Sequence, residues 1–149
     1  MLVNLTVNGM NKEFQVNPDD YLLETLRKYG FLSVKRGCDT GSCGACTVLL
    51  DGKPIPACTY LSVRASGHEI TTVEGVPKEA EEIGKFLSEE GAEQCGYCSP
   101  SFVLTILAMK KELKNPTMED IRHYLVGNLC RCSGYMGHAR AIKKFLEVK

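Results

Sequence analysis

The chain has 149 residues, 44% of them hydrophobic, which is enough for one ordinary domain or two small ones with a buried core. Its 18 lysines and arginines balance 18 aspartates and glutamates, so no electrostatic footprint for nucleic acid or an anionic membrane is present. No apolar run approaches the roughly 20 residues of a membrane span, and residues 1–14 lack the charged and apolar regions of a signal peptide, so a cytoplasmic protein is expected.

Residues 2–8 alternate, with Val3, Leu5 and Val7 on one face. Asn8-Gly9 then signals a turn into a second alternating stretch, Glu13 to Val16. Asn17, Asp19 or Asp20 can cap a helix striped by Leu22, Leu23 and Leu26 and stopped by Gly30. Residues 34–46 form a loop rich in glycine and cysteine. A strand over 47–51, a turn at Asp51-Gly52, a returning strand from Pro56 to Leu61 and a short strand near Glu69 to Val73 follow. Two hairpins around a helix make a β-grasp pattern over residues 1–74. From residue 78 the period becomes helical: Ala80, Ile83, Phe86 and Leu87 share a face, and Glu79, Glu81 and Glu82 crowd the first turn. Ser99-Pro100 opens a helix apolar nearly all round from Phe102 to Met109, ended by Lys114-Asn115-Pro116. Thr117 caps a third helix to about Val126, stopped by Gly127-Asn128, and a last one runs from about His138 to Glu147. The fold class expected is therefore α+β, a β-grasp ferredoxin-like domain followed by a helical bundle over residues 75–149.

Eight cysteines carry the chemistry. They sit in tight groups in a chain without an export signal, which favours metal ligation over disulfides. Cys38, Cys43 and Cys46 have the C-x4-C-x2-C spacing of plant-type 2Fe–2S ferredoxins, with Cys58 as the distant fourth ligand. The four-residue gap lets backbone amides turn toward the sulfurs, and Gly41 and Gly44 tolerate the conformations this requires. A zinc knuckle more often uses paired C-x2-C units. Cys95 and Cys98 with Cys130 and Cys132 are ambiguous between zinc and iron–sulfur on spacing alone. Each pair precedes an expected helix, whose N-terminus would favour an anionic centre of either kind.

Three motifs carry a resemblance. Cys38-Asp-Thr-Gly-Ser-Cys43-Gly-Ala-Cys46, Glu93-Gln-Cys95-Gly-Tyr-Cys98-Ser-Pro and Gly127-Asn-Leu-Cys130-Arg-Cys132-Ser-Gly-Tyr135 closely resemble the iron–sulfur subunit of the molybdenum hydroxylases, the xanthine dehydrogenase and aldehyde oxidoreductase family. The resemblance runs over nearly the whole chain and implies a second 2Fe–2S cluster at Cys95, Cys98, Cys130 and Cys132. It implies that this cluster lies beside a molybdopterin in a large partner subunit, with Gln94 and Cys132 nearest the pterin. The cluster of Cys38, Cys43, Cys46 and Cys58 would pass electrons to an FAD-binding subunit. The function implied is electron relay within a molybdenum-dependent oxidoreductase, with no substrate site in this chain. The alternatives are a stand-alone ferredoxin, which needs no second helical domain, and a zinc scaffold, which would be colourless. Ser101 and Ser133 depart from the family's usual glycine and threonine. His138 stands where a branched apolar residue is usual, and reads either as altered packing or a solvent-facing helix start, or as a titratable group near the second cluster. Tyr97 and Tyr135 read as cluster shielding or interface, and His68 and His123 have no ligand spacing.

Overall fold

The computed structural model describes residues 1–148. Strands β1 (Leu2–Val7) and β2 (Met10–Gln15) form an antiparallel hairpin in the register Val7↔Met10. Asn8 and Gly9 both have positive φ, the type I′ turn whose twist matches that of the flanking strands. The alternation of β1 puts Val3, Leu5 and Val7 into the core. Helix α1 (Leu22–Lys28) begins later than its capping signals suggest: Tyr21 is the N-cap, and the Asp20 carboxylate accepts from the Asn17 amide instead. Leu22, Leu23 and Leu26 are buried under the sheet, and Gly30 leaves the helix at φ +94°.

After the loop 31–46 come β3 (Thr47–Leu50) and β4 (Lys53–Pro56), joined by Asp51-Gly52 in a second two-residue turn with positive φ at both positions. That turn pairs Leu50 with Lys53 at once, so the returning strand lies before, not after, Pro56. The segment expected as strand holds instead a 3-10 turn, Ala57–Thr59, and a second one follows at Ser62–Ala65. Strand β5 (Glu69–Thr71) runs parallel to β1 and antiparallel to β3, completing the order β2-β1-β5-β3-β4.

The remaining regular elements are helices: α2 (Pro77–Glu89), α3 (Ser99–Glu112), α4 (Met118–Tyr124) and α5 (Met136–Phe145). Thr117 and Asp120 form a reciprocal capping box at the start of α4. Ile83, Leu87, Phe102, Ile106, Ile121 and Ile142 belong to a second core, and the Phe86 and Phe145 rings meet edge-on at 5.6 Å. Helix α3 is buried nearly all round because it serves both halves: Leu104 and Ala108 pack on Leu49 of β3 while Phe102 and Ile106 face the bundle. No helix among the described residues is long and apolar enough to cross a membrane.

Candidate metal centres

The first cysteine group lies where the backbone makes no regular structure. Cys38, Cys43 and Cys46 come from the loop before β3, and Cys58 from the 3-10 turn directly after β4, not from a strand. An Ala57 amide bond to the Cys46 carbonyl at 3.2 Å ties that turn to the loop. The Cys43 amide donates to Cys38 Sγ at 3.4 Å, and the Ala45 amide to Cys43 Sγ at 3.4 Å. The amides of Cys43 and Thr40, the Cys43 thiol and the Ser42 amide together pull the Cys38 thiol down to about 5. Burial, with Cys46 in hydrogen-bond contact, pushes Cys58 up to about 12. The group therefore divides into two touching pairs, Cys38 with Cys43 and Cys46 with Cys58. Amides aimed at sulfur stabilise thiolate. Crowded, half-buried thiols ionise together only when cationic metal compensates them.

The second group converges from two chain segments, the turn before α3 and the loop before α5. Cys95, Cys98, Cys130 and Cys132, together with Cys43, line one cavity of 380 Å³. The cavity opens to solvent and has room for a core of two irons and two sulfides. Cys95 and Cys132 are exposed, and their sulfurs lie 3.6 Å apart. Two thiolates on one tetrahedral metal, each at about 2.3 Å, stand ~3.8 Å from each other. Cys98 and Cys130 form the inner, half-buried pair, their sulfurs within 4.8 Å of each other and of a His138 nitrogen. Burial and the neighbouring Cys130 push Cys98 up to about 12. Burial opposes ionisation of Cys130, yet hydrogen bonds from Ser133 and the Cys132 amide leave it below the ordinary thiol value. Both donor sets thus fit a 2Fe–2S core, all thiolate and divisible two by two.

Contacts at two places, Leu129 and Tyr97, join the halves beside the cysteine groups. The Leu129 amide, next to Cys130, donates to the Cys43 carbonyl at 2.9 Å. The Tyr97 hydroxyl donates to the Arg36 carbonyl, while Lys35 Nζ donates to the Tyr97 carbonyl at 3.3 Å and stands 4.8 Å above the Tyr97 ring. Tyr97, expected as shielding or interface, clasps the two halves, and its partners Lys35 and Arg36 carried no signal in the sequence. Leu129 left one trace, a large apolar residue beside a ligand motif, and it is exposed.

Gln94 is exposed beside Cys95. Tyr135 has φ +69° and caps α5, its hydroxyl accepting from the Cys130 amide at 3.0 Å. The departures Ser101 and Ser133 are bonded: Ser101 donates to the Cys98 carbonyl at 2.8 Å, and Ser133 to Cys130 Sγ at 3.3 Å. His138 corrects the solvent-facing reading. It is 2% exposed, because its ring stacks on Phe102 and its Nδ1 meets Ser133, and burial lowers its basicity. His68 bonds Asp51 at the β3–β4 turn, and His123 is exposed on the last turn of α4.

Two family models divide the chain. Residues 5–71 match a 2Fe–2S iron–sulfur cluster binding domain, and residues 72–143 match a second 2Fe–2S binding domain. The xanthine dehydrogenase iron–sulfur-binding subunit of Escherichia coli O157:H7 is 44% identical over 137 residues, spanning 89% of this chain and 86% of that one. The nicotinate dehydrogenase small FeS subunit of Eubacterium barkeri is 39% identical over 148 residues, spanning 97% and 94%. Among solved structures, quinoline 2-oxidoreductase from Pseudomonas putida 86 superposes with a TM-score of 0.90 at 35% identity, covering 98% of this chain and 92% of that chain. Aldehyde oxidoreductase from Desulfovibrio desulfuricans superposes at 0.86 and 37% identity, but this chain corresponds to only 17% of its length. With two 2Fe–2S domain matches in succession and near-full-length relatives of this kind, the chain belongs to the iron–sulfur subunits of the molybdenum hydroxylases, the xanthine dehydrogenase family.

Proposed function

We propose that this chain, as the non-catalytic iron–sulfur subunit of a molybdenum-dependent oxidoreductase, relays electrons between a molybdopterin-bearing large subunit and an FAD-bearing subunit in the cytoplasm. The observation that carries the reading is the hydrogen bond from the Leu129 amide to the Cys43 carbonyl. It joins a ligand loop of one cysteine group to a ligand loop of the other. Cys38, Cys43, Cys46 and Cys58 would hold one 2Fe–2S cluster, and Cys95, Cys98, Cys130 and Cys132 the other. When bound, each cluster supplies a centre that takes up and releases one electron at a time. The exposed pair, Cys95 and Cys132, with Gln94 beside it, offers the face for the pterin-bearing partner. Leu129, next to the half-buried Cys130, carries the contact to Cys43, so this contact would be the link toward the other cluster. The Tyr97 clasp holds this spacing rigid and covers the seam.

The reading includes two domains, a β-grasp ferredoxin-like domain over residues 1–74 and a helical-bundle domain over residues 75–149. Family matches that meet between residues 71 and 72 support it. Eight free cysteines suit a reducing compartment. A stand-alone ferredoxin is not favoured, since relatives matching both halves are subunits of larger enzymes.

The test is electron paramagnetic resonance of the reduced complex, alongside turnover with a flavin-accepting dye. Cys43→Ala should remove one 2Fe–2S signal and leave the other reducible by substrate. Cys95→Ala should remove the second signal and slow flavin reduction by orders of magnitude, with the first signal intact. Normal turnover with both signals in Cys95→Ala would rule the relay out.

A further inference from the structure

Ser133 makes three polar contacts with its one hydroxyl. Its oxygen accepts from the Tyr135 amide at 3.1 Å, lies 2.9 Å from His138 Nδ1 and stands 3.3 Å from Cys130 Sγ. A hydroxyl has one proton and two acceptor lone pairs. The Tyr135 amide occupies one lone pair. A metal-bound Cys130 thiolate has no proton to offer, so the hydroxyl proton goes either to the sulfur or to the imidazole. The tautomer of His138 decides which. With its proton on Nδ1, His138 fills the second lone pair, and the serine can donate only to sulfur. With Nδ1 bare, the ring competes with the sulfur for that proton and the bond to sulfur is weakened.

The ring is held in place for this role. His138 lies in the first turn of α5 between the buried Gly137 and Ala139. Its ring lies 4.2 Å from that of Phe102, itself fully buried, at an interplanar angle of 35°. A branched apolar residue here would fill the same space and leave the hydroxyl free to rotate. We propose that His138, as the Nδ1–H tautomer, is a positioning residue that locks the Ser133 proton onto the Cys130 sulfur and thereby raises the reduction potential of the second 2Fe–2S cluster. This inference rests on the assignment of Cys130 as a cluster ligand. A hydrogen bond donated to a ligand sulfur draws off negative charge and favours the reduced, more anionic state, so its loss lowers the potential.

Redox titration of the intact complex, followed by paramagnetic resonance, tests it. Ser133→Ala should shift the second cluster negative, on the order of tenfold in the one-electron equilibrium or about 59 mV, and leave the first cluster unmoved. His138→Leu, which removes the N–H that fixes the Ser133 oxygen but leaves the sulfur as acceptor, should shift it in the same direction by less. His138→Asn, whose amide N–H can stand where Nδ1–H stood, should restore the wild-type potential. His138→Gln, whose donor reaches past that position, should not, and it makes the same comparison if the leucine variant fails to assemble. The Ser133→Ala/His138→Leu double variant should match Ser133→Ala alone, because the histidine acts through the serine. An unchanged potential in Ser133→Ala, or additive shifts in the double variant, overturns the inference while both signals stand. Absence of a second 2Fe–2S signal from the wild-type complex overturns the ligand assignment, and the inference with it.

Discussion

At Gly44 the backbone adopts φ +71°, and a Cβ there would stand 2.0 Å from the Gly127 carbonyl oxygen. The residue lies between two cysteines of the first group, at the point where the loop carrying Cys130 comes closest. Only glycine permits both the left-handed turn and the approach that lets Leu129 reach the Cys43 carbonyl. Gly44→Ala adds about 1–2 kcal/mol of backbone strain and forfeits a hydrogen bond worth about 1 kcal/mol. The chain's own unfolding transition should fall by several degrees. A melting temperature within a degree of wild type would show that the approach is not required.

Among the elements, β4 shows how a short strand is confined. It carries Pro54 and Pro56 and survives because it is the sheet edge, where a missing N–H costs no ladder bond. Its shortness delivers Cys58 onto a 3-10 turn facing Cys46. At the other end of the chain, α5 is tied to α2 by Glu90, whose carboxylate accepts from Arg140 Nε at 2.9 Å and also from Lys144. Lys144 and Arg140 hold the Glu90 carboxyl below its ordinary value of 4.5. A group whose folded-state pKa is depressed stabilises the fold above its unfolded value and loses that contribution as pH falls through the folded one. Glu90→Gln should therefore melt earlier than wild type at pH 7, and the difference should shrink as pH drops below about 4.5. Thermal melts across that range check it, and a constant difference would mean that charge is not what binds α5.

Over the whole molecule there are two main cores, joined where Leu104 and Ala108 of α3 pack on Leu49 of β3, and each is built chiefly of aliphatic and aromatic side chains. One lies under the sheet around Leu5, Phe14 and Leu26, the other among Ile83, Phe102 and Ile142. The cysteine loops are held more sparsely: residues 31–46 lack regular structure and lend the first core chiefly Val34 and Cys46, and the segment 127–135 is mostly exposed. Stripping iron with a chelator under reducing conditions should leave the helical circular dichroism nearly intact. Amide protection should vanish over residues 35–46 and 127–135, while α3 keeps its own. Global loss of helix would show that the clusters, not the two cores, hold the fold.

Local chemistry made much of this legible in the amino-acid sequence. The Asn8-Gly9 and Asp51-Gly52 turns, the stripe of Leu22, Leu23 and Leu26, the Thr117 cap and the run of Cys38, Cys43 and Cys46 all depend on residues close in the chain, so spacing reveals them. Three motifs in order gave the family resemblance for the same reason. The tertiary structure decided whatever depends on partners distant in sequence. The parallel pairing of β5 with β1, the edge position that ends β4 early, the Leu129–Cys43 bond, the Tyr97 clasp and the burial of His138 each join segments tens of residues apart or hidden by packing. His138 is the sharpest case: residue type alone left it open between altered packing, a solvent-facing helix start and a titratable neighbour of the cluster. Only the tertiary packing that brings the start of α5 to Phe102 of α3 buried its ring, because desolvation and contact are properties of packed elements rather than of sequence spacing.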